Sequence, residues 1–97
     1  MNLSHLKPIC ERLEGQLPSL PDPEVRWRLE KMLRALVDNH DWPDLKIGKW
    51  LGFVEACLIM HGVTDIDTER DFSRPLFHDH YRSVGIEPPA SIDVTKE

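Results

Sequence analysis

Asp22-Pro23-Glu24-Val25-Arg26-Trp27-Arg28-Leu29-Glu30-Lys31-Met32-Leu33-Arg34-Ala35-Leu36-Val37-Asp38-Asn39 is the stretch that decides the class of fold. Asp22 has the short acceptor side chain that caps a helix, Pro23 has its φ preset for the first helical position, and Glu24 suits the positive end of the helix dipole. Val25, Leu29, Met32, Leu33, Leu36 and Val37 recur with helical period, while Arg26, Glu30, Lys31, Arg34 and Asp38 cover the other side. This predicts an amphipathic helix from Pro23 to about Asn39, with Trp27 at the edge of the apolar stripe or in solvent. A helix with one apolar face needs neighbours to cover it.

Upstream, Leu6, Ile9, Leu13 and Leu17 form a stripe on a first helix beginning near Ser4. Pro8 suits only its first turn, and Pro18, Pro21 and Pro23 call for an extended connector. Downstream, Asn39 to Trp42 break the pattern, and Pro43 fits the first turn of a third helix capped by Asp41 or Trp42. From Leu45 to His61 apolar residues surround most of the helix, which predicts a central element buried on several sides. Gly48 and Gly52 each cost a helix roughly 1 kcal/mol, so they are expected to admit a close neighbour. Gly62 fits a left-handed helix stop.

Asp65, Asp67 and Glu69 suit the start of a last helix. Pro75 predicts a kink, or a restart capped by Ser73, with the helix continuing through Leu76, Phe77, Tyr81 and Val84 to Gly85. Glu69, Arg70 and Arg74 are read as surface ion pairs. The prediction is therefore all-α: a compact bundle of four helices forming a single domain over 1–87, the last helix kinked or restarted at Pro75. A flexible C-terminal tail, extended or disordered, is expected over 88–97.

The 97 residues allow one core. Net charge is −5, and its distribution is uneven: residues 1–49 hold eight basic and eight acidic side chains, residues 50–97 four and nine. The acidic half disfavours nucleic acid as a partner, since phosphate neutralisation needs clustered Lys and Arg. Leu51 to Met60 is too short and too interrupted to span a membrane. Cys10 and Cys57 stand far apart, without the spacing of a disulfide framework or zinc finger, and are expected as reduced thiols.

No motif supports catalysis, and no cofactor or metal is expected. His78 and His80, two positions apart on a helix, point about 200° from each other and cannot share one ion. His40-Asp41 would need further converging ligands. The acidic run from Asp65 lacks the glycine and the terminal glutamate of a calcium loop. Cys57 sits in an apolar helix and reads as core filler. The rings are more informative, because tryptophan and tyrosine beside arginine are enriched at binding hot spots. Trp27 with Arg26, Arg28 and Arg34, Trp50, and Tyr81 with Arg82 are the expected partner-binding residues; the competing reading makes these rings core and rim.

The stretch Trp42-Pro43-Asp44-Leu45-Lys46-Ile47-Gly48-Lys49-Trp50-Leu51-Gly52-Phe53-Val54, with Glu69-Arg70-Asp71-Phe72-Ser73-Arg74-Pro75-Leu76-Phe77-His78, resembles small uncharacterised helical proteins of tailed phages and prophages. The resemblance covers about half the chain. It implies a protein in the cytoplasm of a bacterial host whose partner is a host or phage protein. The expected function is thus a noncatalytic accessory protein that binds and modulates another protein, with a homodimer enlarging the small core. The alternatives are a small-molecule or nucleotide-binding helical protein, and third a DNA-binding regulator acting through the second helix.

Overall fold

Asp22 accepts a hydrogen bond from the Glu24 amide at 2.9 Å, and the helix it caps runs from Pro23 to Asp38. The computed structural model describes residues 1–88. Four α-helices follow one another: α1 (Leu3–Gln16), α2 (Pro23–Asp38), α3 (Asp44–Met60) and α4 (Ile66–Ser83). No strand is present among the described residues, so the fold is the all-α bundle that the periodicity predicts. Of the expected tail over 88–97, only Pro88 is among the described residues; the rest lies outside them.

α1 is the centre of the bundle and packs against all three other helices. Its stripe Leu6, Ile9, Leu13 and Leu17 is buried as the spacing predicts, and Leu20, Leu29, Leu33 and Leu36 complete the contact with α2. Asn2 caps α1 by accepting from the Ser4 amide at 2.8 Å, so the helix starts at Leu3 and Pro8 falls in its second turn, not its first. The ring removes the donor that would reach the Ser4 carbonyl, but Ser4 is exposed and water can serve it. The connector to α2 is also less extended than the prolines suggest, since Leu17–Ser19 make a 3₁₀ turn before Leu20.

α3 departs most from expectation. It is not a central helix buried all round: Ile47, Leu51, Val54 and Leu58 are buried, whereas Leu45 is 88% exposed, Met60 84% and Phe53 56%. Gly48 and Gly52 face open space, with nothing within 4 Å of where a Cβ would stand, so no helix among the described residues approaches them. Pro43 is the N-cap, outside the first turn, and Asp44 opens the helix. Gly62, at φ +72°, ends it, with the Val63 amide bonded back to the Leu58 carbonyl at 3.0 Å and Val63 packed on the core.

α4 is capped by Asp65, which accepts from the Thr68 amide at 2.8 Å, and it runs through Pro75 without a restart. Ser73 caps nothing; its hydroxyl donates to the Glu69 carbonyl at 2.9 Å within the helix. Pro75 leaves the Asp71 carbonyl without its helical donor, and Asp71 is exposed, so the helix continues at small cost.

The two sides of α3 predict unequal mutational costs. Leu51→Ala should destabilise the protein by about 3 kcal/mol, as expected for a buried leucine. Leu45→Ala, on the outward side, should change stability by less than about 0.5 kcal/mol. Urea denaturation of the two variants beside the wild type measures the difference.

Candidate functional site

Two polar networks, one buried and one partly exposed, and one outward apolar face are the features from which a site could be built. The first network centres on Glu69, which is only 3% exposed. Arg12 of α1 grips its carboxylate with both Nε and Nη2 at 3.1 Å, Gln16 donates at 3.3 Å, and Thr64 donates from the α3–α4 connection at 2.7 Å. The Arg12 guanidinium also lies over the Phe72 ring, 4.7 Å from its centroid. Burial pushes the Glu69 pKa upward, but the hydrogen bonds from Arg12, Thr64 and Gln16 and the charge of Arg12 outweigh it and hold the group below the usual glutamate value. Glu69 is therefore not a surface partner of Arg70 and Arg74 as its local spacing suggests; Arg70 instead lies 3.7 Å from Asp67.

The second network joins the start of α3 to the end of α4. His80, 6% exposed, sets its Nε2 2.7 Å from Asp44 Oδ2, and the Met1 ammonium lies 3.5 Å from Asp44 Oδ1 while donating to the His40 carbonyl at 2.6 Å. The contact with His80 is the main cause of the lowered Asp44 pKa; burial opposes it, and the charges of His80 and the ammonium add to it. The second His80 nitrogen, Nδ1, is buried without a partner, as is Nδ1 of His5, whose ring centroid lies 6.4 Å away. A histidine whose free nitrogen is sealed from solvent cannot meet a substrate, so this pair reads as a structural tie. Among the described residues no three His, Cys, Asp or Glu side chains converge on a metal position. Burial, with Glu14 and Glu11 nearby, pushes the Cys10 thiol up to about 12, far from the range of a nucleophile. Cys57 is half-buried, at the rim of the core and not within it.

The residues predicted to bind a partner are divided between surfaces. Trp27 is 56% exposed on the side of α2 away from the core, with Lys31 Nζ 4.3 Å from its ring centroid. Arg28 and Arg34 are already paired along the helix, with Glu24 at 3.3 Å and Glu30 at 2.6 Å, and Arg26 lines a shallow hollow beside Trp27. Trp50 is half-buried, packed edge-on against Trp42 at 5.0 Å, with Lys46 over the Trp42 ring at 3.7 Å. Arg28 and Trp50 meet in one groove of about 330 Å³ between α2 and α3, lined also by Met32, Lys49 and Phe53. Tyr81 and Arg82 lie on the last turn of α4, outside that groove, with Tyr81 beside His80 and Arg82 3.4 Å from Asp79.

The feature that sequence reading missed is the outward side of α3: Leu45, Gly48, Gly52, Phe53, Ala56 and Met60 are all exposed. Its signal in the sequence is an apolar helix with few charges, a pattern that burial within the chain would produce equally. Comparison with protein-family models, curated proteins and solved structures gave no match.

The Glu69 network has a defined pH signature. Because the folded pKa is depressed, its stabilisation is present above the unfolded glutamate value near about 4.3 and is lost as pH falls through the folded value. Arg12→Ala, which strands a buried carboxylate beside a partly exposed position, should cost about 2–3 kcal/mol at pH 7, with the gap from wild type narrowing on acidification below about pH 4. Thermal melts of both proteins from neutral to acidic pH check this.

Proposed function

We propose that this chain is a noncatalytic accessory protein, of the kind found in phages and prophages, that works by binding other proteins. The observation that supports this reading best is the outward side of α3, where Leu45, Phe53 and Met60 stay in water although their helix is otherwise part of the core. An apolar side that no helix among the described residues covers is a recurrent mark of an interaction surface. The groove beside it adds Trp50 and Arg28, residue types enriched in binding hot spots. The phage-type setting, and with it a bacterial cytoplasm, rests on the residue pattern around Trp42–Val54 and Glu69–His78.

The small-molecule reading has less support, because the hollows at Trp27 and at Trp50 are open and shallow, without the enclosure that buries most of a ligand. The DNA reading has less again, since Arg28 and Arg34 already have carboxylate partners on α2.

Substituting Leu45→Asp and Met60→Asp together places charge on the outward side of α3 and leaves every buried residue intact. The variant should keep the wild-type far-ultraviolet circular dichroism and lose, by at least about tenfold, the affinity for any protein that the wild type binds stoichiometrically. Undiminished binding by the folded variant would show that the surface lies elsewhere, with Trp27 the next position to change.

A further inference from the structure

On reading the outward side of α3 as a protein-binding surface, we infer that its occupant is a second copy of the chain, the two α3 helices lying side by side and parallel about a two-fold axis. At 100° per residue, Leu45, Gly48, Gly52, Ala56 and Ile59 fall in one stripe along the helix. Lys46 and Lys49 lie along one border of that stripe and Asp44 and Glu55 along the other, with Phe53 and Met60 on the lysine side. A two-fold axis parallel to the helix turns the basic border of each copy toward the acidic border of its partner. Asp44 and Lys49 then take the flanking places at which parallel helix pairs form their cross-chain ion pairs. An antiparallel pair would set the lysine end of each copy against the Phe53–Met60 end of the other and bring neither Lys49 nor Asp44 opposite a counter-charge. Among the described residues no ion pair engages Lys49.

The glycines agree with this geometry. They weaken α3, and the described residues give no packing reason for them, since a Cβ at either would meet nothing within 4 Å. A helix from another copy, coming close over Gly48 and Gly52, supplies the reason. One side holds both knobs, Leu45 and Ile59, and the low ground between them, so the surface is complementary to itself and closes as a dimer. Trp27, on the far side of α2 from the core, stays outward in both copies for the protein that is modulated.

The test is sedimentation equilibrium of the wild type from about 1 µM to about 1 mM, a range chosen because one helix pair buries less than the roughly 800 Å² per partner of a standard interface. The wild type should pass from monomer to dimer, and Gly52→Leu should remain monomeric while melting no lower than wild type, because the new side chain enters open space in the single chain. A wild type that stays monomeric throughout, or a Gly52→Leu chain that dimerises equally well, overturns the inference. Orientation is read separately in a Cys57→Ser background: Leu45→Cys and Ile59→Cys should each form a disulfide with its own counterpart. If the double variant links only position 45 to position 59, the pair is antiparallel and the parallel assignment is wrong. A monomeric wild type whose binding to some other protein is still abolished by the α3 aspartates would overturn the second copy while sustaining the interaction reading.

Discussion

The carboxylate of Glu69 has to be satisfied inside the protein, and much of the arrangement of helices follows from how that is done. Arg12 and Gln16 come from the last turns of α1, Thr64 from the connection that leaves α3, and Glu69 itself from the first turn of α4. A single buried charge therefore fixes three parts of the chain at one point. Apolar packing between α1 and α4 tolerates sliding, whereas a two-point grip by a guanidinium does not. At the opposite end, the Asp44–His80 contact ties the start of α3 to the end of α4. The two ties hold α4 at both its ends against a bundle whose apolar core is supplied mainly by the other three helices.

This division of labour explains which parts of the fold were legible. α1 and α2 bury one clear stripe each, and stripes of that kind are visible as periodicity: Leu6, Ile9, Leu13 and Leu17 in one, Leu29, Leu33 and Leu36 in the other. Caps at Asp22 and Asp65 and the left-handed stop at Gly62 are local chemistry and were equally readable. The polar ties were not. Glu69 lies 57 positions from Arg12 and His80 lies 36 from Asp44, and nothing within either segment marks the distant partner. Glu69 has arginines close by in sequence, and local spacing favoured them over the one that the fold brings in.

α3 shows a different limit. A helix apolar on most sides can be buried within its own chain or can keep one side for something outside it, and periodicity alone does not separate the two. The fold resolves the question by its neighbours: α1 and α2 cover the stripe through Ile47, Leu51, Val54 and Leu58, and no helix among the described residues covers Leu45, Gly52 and Met60. The candidate site was thus legible as composition and illegible as location. Of the residues expected at an interface, Trp50 and Arg28 border this side, Trp27 faces away from it, and Tyr81 and Arg82 belong to the end of α4.

One stripe of α3 holds the fold together, and the exposed stripe is the one proposed above to serve association. Backbone amide NMR of the labelled protein through a dilution series tests that association most directly. Concentration-dependent shifts should concentrate at Leu45, Gly48, Gly52, Ala56 and Met60, while the amides of Leu6 and Leu13 in the buried stripe of α1 stay fixed. Shifts centred on another helix, or a spectrum unchanged across the whole series, would contradict it.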